Sequence, residues 1–298
     1  MHKKRHKREY ALFRLLAAPI SVFPGSACLV LGHWLGGLLS MLDKRHHRTA
    51  GRNIDTAFLD TLSEKEKRRL IFRVFTHFGR TIFDIVKLGR MKKETIRSLV
   101  DVEGFHHLQD AIKRGNGVLL ISAHYGNWEI ASVHLGQMCP LWVIARELDN
   151  PLFEKDLRQI REHFGGRVIY KKNATRRIIQ ALRANQAVAI LMDQNVLRSQ
   201  AVFVPFFGKQ AATTPAAATF VLRTGAVLLP SFCTPIEKNR YRLEIFPPVE
   251  YQPSGDTPTD IEALTEACTR TIENQIRKRP QWWLWMHDRW RSRPDPPG

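Results

Sequence analysis

The spacing of apolar and polar positions divides the chain into three regimes. Leu15 to Leu42 is the most apolar stretch and carries no formal charge. Pro19 and Pro24 interrupt it, and the run after Pro24, residues 25–42, sits at the lower edge of the length needed to cross a bilayer. His33, Trp34 and Gly36-Gly37 dilute it further, and no small-residue cleavage site follows it. The pattern predicts a shallow or re-entrant anchor broken at the prolines. In the second regime, Ser63-Glu64-Lys65-Glu66 has the form of a capping box and predicts a helix running to about Lys87. Ile71, Phe72, Phe75, Phe78, Ile82 and Ile85 recur along it at spacings of three and four, so its apolar face must dock on something.

From residue 100 onward, short apolar runs alternate with helical periodicity. Strands are expected over 118–122, 141–144, 168–170, 187–192, 226–232 and 241–246. Helices are expected over 127–136, 150–163, 175–184, 215–223 and 259–277. This alternation predicts an α/β protein with a single central mixed sheet flanked by helices, preceded by the apolar anchor. The expected organisation is a basic N-terminus and anchor over 1–45 and an α/β domain over 46–298, ending in a loose tail at Pro294–Gly298.

Composition narrows the partners. Cys28, Cys139, Cys233 and Cys268 are scattered and form no C-x-x-C pair, which argues against a disulfide framework or a cysteine zinc site. The net charge of +18 requires an anionic counterpart. Of that charge, +12 lies in residues 1–10, 43–52 and 277–293, beside the apolar stretch or in a tail bearing Trp282, Trp283, Trp285 and Trp290. Basic flanks around an apolar segment, and tryptophan mixed with arginine, point to a membrane surface. A nucleic-acid binder would interleave cations and aromatics across a folded face, so nucleic acid is not expected as a partner.

The chemistry concentrates at Ile121-Ser-Ala-His124-Tyr-Gly-Asn-Trp-Glu129, where a buried strand gives way to a helix. That junction opens on the crevice where α/β sheets bind ligands. His124 is the candidate general base, and Glu129 is expected to fold back and accept the second imidazole N–H. Gly126 allows close backbone approach, and the N–H groups near Gly126 and Asn127 are candidates to hold a developing oxyanion. H-x4-E spacing alone occurs often by chance, so the rest of the chain decides its weight.

His124-Tyr-Gly-Asn-Trp-Glu129 resembles the H-x4-D/E motif of the lipid A biosynthesis acyltransferases. Three more blocks resemble that family in order and spacing: Met192-Asp-Gln-Asn195, Val202-Phe-Val-Pro-Phe-Phe-Gly208 with Ala211-Ala-Thr-Thr214, and Gln281-Trp-Trp-Leu-Trp-Met-His287-Asp-Arg-Trp290 with Arg293-Pro294. Asp288 departs from the pattern, in a block that is often basic in relatives. The resemblance implies transfer of an acyl chain from a thioester on acyl carrier protein to a hydroxyl of a lipid A precursor or related glycolipid. It also implies an enzyme at the cytoplasmic face of the bacterial inner membrane, in contact with membrane lipids and without metal or organic cofactor. By residue, it implies His124 as base and Glu129 as its acidic partner. Arg146 would hold a thioester oxygen or a phosphate, the alternative being a surface ion pair with Glu147 or Asp149. Arg161 matches a basic position followed by Gly165, and Asp193 and Gln194 would shape the acceptor site or orient Arg146. Phe206 and Gly208 belong to a run expected to line the acyl channel, although Pro205 makes it a poor central strand. Thr214 is the expected N-cap before Pro215. Other acceptors (glycerophospholipid, mannosylated lipid, amino-acid lipid) and a non-catalytic lipid-binding protein are the alternatives.

Overall fold

The computed structural model describes residues 2–20, 23–170 and 174–294. The end of the expected loose tail, residues 295–298, lies outside them. The apolar N-terminal region forms two helices, α1 (His2–Ile20) and α2 (Gly25–Leu42). Of the two prolines, only Pro24 lies between them, as the residue before α2, whereas Pro19 is accommodated in the last turn of α1. A third helix, α3 (Lys44–Phe58), covers the second basic stretch, and α4 (Glu64–Leu88) starts at the expected capping box. Ser63 accepts from the Glu66 N–H while Glu66 accepts from the Ser63 N–H.

Helix α2 is long and apolar enough to cross a membrane, yet it is mostly unburied. Its main contact is with α4, and glycine sets it. A Cβ on Gly36 would meet the Phe75 carbonyl oxygen at 2.2 Å, and one on Gly79 would meet the Gly32 carbonyl oxygen at 2.2 Å. The two backbones therefore touch where Gly32, Gly36 and Gly79 meet, the small-residue mode of close helix packing. The face turned away carries exposed Val30, Trp34, Leu38, Met41 and Leu42, and α1 adds Leu12, Leu15 and Leu16.

The body is a seven-stranded mixed sheet. Its strands are β1 (Val100–Glu103), β2 (Val118–Ser122), β3 (Leu141–Ala145), β4 (Gly166–Tyr170), β5 (Ala187–Leu191), β8 (Val227–Pro235) and β9 (Tyr241–Ile245). The order is β1-β9-β8-β2-β5-β3-β4, and every pair is parallel except β8 with β9. The central strands β2 and β8 are buried along nearly their whole length, as expected of parallel strands covered on both faces. The covering helices are α5 (Lys93–Leu99), α6 (Phe105–Lys113), α7 (Trp128–Leu135), α8 (Pro151–His163), α9 (Ala174–Arg183), α10 (Ala216–Thr224) and α11 (Thr257–Lys278).

The run containing Pro205 forms a separate antiparallel ribbon, β6 (Val202–Phe206) with β7 (Lys209–Thr213). Phe207 and Gly208 make its two-residue turn, both at positive φ (52° and 72°), as a tight right-twisted hairpin requires. Phe207 bears that conformation because its N–H is donated to Glu273 of α11 at 2.6 Å and Arg277 lies over its ring. Helix α10 begins at Ala216, one residue later than expected. Thr214 still accepts from the Ala216 N–H at 3.3 Å.

Candidate active site

Parallel register builds the site. Ser122, the last residue of β2, is paired with Leu191, the last residue of β5. Two residues beyond each lie His124 and Asp193, so adjacent strands deliver both to the same sheet edge. Asp193 is buried and accepts three hydrogen bonds: from the His124 N–H (3.0 Å), from His124 Nδ1 (2.9 Å) and from Trp283 Nε1 (2.8 Å). Burial alone would raise the Asp193 pKa, but the charge and hydrogen bonds of His124 and Trp283 outweigh it and hold the carboxyl below its ordinary value. An ionised carboxylate only accepts, so Nδ1 carries a proton and Nε2 is the ring nitrogen not engaged by Asp193. Gln194 Nε2 lies 3.5 Å from that nitrogen, and the His124 ring meets Trp128 edge-on at 5.1 Å.

The expected partnership of His124 with Glu129 is not the arrangement found. Glu129 lies in the first turn of α7, buried, and its carboxylate is gripped by Arg161 of α8 in a two-pronged contact of 2.6 and 3.1 Å. Burial works against the Arg161 charge, yet Glu129 holds its pKa above the ordinary arginine value. Arg161 is thus committed to an internal ion pair, and α7 and α8 are clamped together behind the base.

The expected oxyanion donors are also already used. Gly126, at φ +61°, donates its N–H to the Trp282 carbonyl (2.9 Å), and Asn127 donates its own to the Cys233 carbonyl (2.7 Å). A Cβ on Gly126 would meet the Cys233 oxygen at 2.0 Å, so glycine there serves backbone packing. Asn127 caps α7 through the Ile130 N–H at 3.1 Å. Helix α4 holds this turn from below. His77 Nε2 donates to the Gly126 carbonyl (3.0 Å), and Asp84 accepts from Asn127 Nδ2 (3.0 Å) and from the Tyr241 hydroxyl. Burial drives the His77 pKa down to about 4, so the ring is neutral.

Burial likewise pushes Asp84 up to about 6, against the opposing pull of Arg80, Tyr241 and Asn127. An acid raised on folding makes the folded state bind more protons than the unfolded one between the two pKa values. Stability should therefore fall as pH rises from about 4 to about 6, by about 3 kcal/mol. Urea midpoints of the wild type across that range should show the slope, and Asp84→Asn should flatten it. An unchanged slope in the variant would exclude Asp84 as its source.

Arg146 is exposed beyond β3 and pairs with exposed Asp149 at 3.4 Å, one of the surface pairs weighed as its alternative. It does line the large cleft that opens at His124. Ser122, Trp128, Glu129, Arg161, Gln194, Asn195, Thr214 and His287 line the same cleft, which has a volume of about 1860 Å³. Most small-molecule pockets fall at about 300–1,000 Å³, so the space suits a lipid with a headgroup. Its apolar walls include Phe13 of α1, Ile85 and Leu88 of α4, Leu120, Phe153 and Ile160. Phe206 and Gly208 do not line it. Phe206 is packed in the core against Trp283, Trp290 and Arg289, because its strand belongs to the separate ribbon.

The tryptophan-rich tail is likewise internal rather than interfacial. Trp283 and Trp285 are fully buried, and Asn53 of α3 donates to the carbonyls of Trp285 (2.7 Å) and His287 (2.6 Å). Arg289 is fully buried, donates to the Ala212 carbonyl and the Thr213 hydroxyl, and is lowered to about 10 by burial. Its attachment ties the ribbon to the site. His287 Nε2 accepts the Asn195 N–H at 3.0 Å. Sequence spacing had not marked Trp283, His77, Asp84 or His287 as part of the site. The register of the strands preceding His124 and Asp193 was the signal that could have paired those two.

An imidazole is thus held by a buried carboxylate and faces a lipid-sized cleft at the ends of parallel strands. The chain matches the family model described as bacterial lipid A biosynthesis acyltransferase over residues 2–292, and it belongs to that family. It is 27% identical over 269 residues to the lipid A biosynthesis lauroyltransferase of Escherichia coli, covering 89% of this chain and 85% of that one. It is 26% identical over 266 residues to the palmitoleoyltransferase of lipid A biosynthesis from the same organism, with the same coverage. A phosphatidylinositol mannoside acyltransferase of Mycobacterium tuberculosis is 25% identical over 221 residues, covering 72% of this chain and 67% of that one.

Proposed function

We propose that the protein transfers a fatty acyl chain from an acyl carrier protein thioester to a hydroxyl of a lipid A precursor or closely related glycolipid, at the cytoplasmic face of the bacterial inner membrane. The observation that carries this reading is the His124–Asp193 pair at the cleft, with Nε2 met only at 3.5 Å by Gln194 among the described residues. In this mechanism the acceptor hydroxyl sits at Nε2 beside Gln194. His124 takes its proton, and the oxygen attacks the thioester carbonyl. The tetrahedral intermediate collapses, the thiolate leaves, and it recovers the proton from the imidazolium. Asp193 stabilises that imidazolium without taking its proton. Arg146, exposed on the cleft wall, meets the anionic oxygen of the intermediate or a headgroup phosphate. Glu129 supports the base indirectly, through Arg161.

Residues 1–45 form the membrane-facing part in this reading. The exposed apolar faces of α1 and α2 lie on the lipid, and Phe13 and Ala17 of α1 border the cleft by which the acceptor enters. The test is mass spectrometry of the glycolipids of cells with and without the chain. A single acyl mass added to lipid A in its presence is the expected result. The same mass on a mannosylated phospholipid would move the acceptor to the class named by the mycobacterial relative. No acyl change on any lipid would leave a non-catalytic lipid-binding protein.

A further inference from the structure

The two banks of the cleft differ in charge. Helix α8 and the loop before it, residues 146–162, mix five acids with four cations, and Asp156 also engages α1 through Tyr10 and Arg14. The chain that follows, residues 163–236, contains nine cations and one acid and includes α9, which forms part of the opposite bank. That acid is Asp193, which is buried on His124 and contributes nothing to the surface. Along the sequence the stretch is therefore strongly basic.

Residues next to some of these cations border the cleft. Thr175 and Ile178 of α9, Val196 and Gln200 of the following loop, and Arg291 all line it. Arg176, Arg177 and Arg198 lie beside these residues in the chain and are exposed, as is Arg291. Arg176, Arg177 and Arg291 form no ion pair among the described residues, whereas Arg5 and Arg14 of α1 and Arg158 and Arg161 of α8 do. This bank also lacks the apolar surface of α1 and α2. Leu197 is the one large exposed apolar residue among described residues 174–235. A surface that is basic and not apolar suits a soluble acidic macromolecule better than a bilayer.

We propose that the α9 bank, centred on Arg176, Arg177 and Arg291, is the docking surface for the acidic carrier protein that brings the acyl thioester. The lipid acceptor enters from the opposite, α1–α8 bank. This rests on the acyl-transfer reading above and adds the place where the donor binds. The two substrates then approach His124 from different sides, and neither must leave before the other arrives.

The test uses the full-length Arg176→Glu/Arg177→Glu variant, whose changes are exposed and outside the catalytic pair. Transfer of lauroyl and palmitoleoyl chains to a lipid A precursor is measured from acyl carrier protein and from the corresponding acyl-pantetheine, which lacks the acidic protein. The expected result is a KM for the acyl carrier protein raised about tenfold with kcat retained, and unchanged use of acyl-pantetheine. Added salt should raise the wild-type KM toward that of the variant. An unchanged KM for the carrier would overturn the docking surface. So would an equal loss with both donors accompanied by weaker pelleting with anionic vesicles, since that result assigns the bank to lipid. Failure of the wild type to use either donor would instead overturn the acyl-transfer reading itself.

Discussion

His124→Ala should lower acyl transfer by about 10²–10⁴-fold while leaving the fold intact, because general-base catalysis contributes that much and the ring is partly exposed at the cleft. Asp193→Asn should cost nearly as much by another route. An asparagine can present its NH2 to Nδ1, which moves the ring proton to Nε2 and removes the lone pair the acceptor needs. Because both changes disable one device, the double variant should be little worse than either single one. Single-turnover transfer from acyl carrier protein, with circular dichroism as the folding control, decides it. Full activity in His124→Ala would sink the base, and multiplied losses in the double variant would sink the coupling. The acidic limb of stability should also change. Asp193 is depressed in the folded state, so its stabilisation is present above the ordinary carboxylate pKa and lost as pH falls through the folded value.

Glu129→Ala should be the most destabilising single change in the site, at about 3–5 kcal/mol, because it leaves the buried Arg161 charge unpaired. Glu129→Leu combined with Arg161→Met should recover most of that stability, since a buried ion pair can often be replaced by apolar residues of similar volume. Urea unfolding of the three variants measures this. Transfer activity then separates two roles for Glu129. If it only clamps α7 to α8, the stable double variant regains activity with the wild-type pH profile. A stable double variant as inactive as His124→Ala would place Glu129 in the chemistry itself.

The sequence was most legible where burial dictated composition. Continuous apolar runs at 118–122 and 187–191 have little alternative to a parallel strand, and the Asn150-Pro151 start of α8 was visible because capping is local. Helix α3 was hidden because its polar surface residues read as a charge cluster. Helices α5 and α6 and strand β1 were not assigned from the apolar pattern. At the site, His124 stood out by its place at a strand end, but its partner did not. Spacing of five along one chain suggested Glu129, whereas the true neighbour lies 69 residues away and is found only through strand register. The tail misled for a related reason. Tryptophan beside arginine is expected at a membrane surface, but Trp283 here spends its N–H on Asp193 and Arg289 spends its charge on the ribbon. Composition cannot tell an interface from a core whose polar tips are satisfied.

The glycine contact between α2 and α4 has a geometric consequence. Gly79, which touches the backbone of α2, is two residues from His77, which holds the Gly126 carbonyl. One thickness of helix, about 10 Å, therefore separates the anchor from the turn that carries His124. With α2 seated in lipid, the base stands at a fixed height above the hydrocarbon. A hydroxyl on a short-stemmed headgroup would fall below it and one on an extended sugar would overshoot. On the proposed reading, choice of acceptor would then depend on the height of its hydroxyl as well as on the cleft.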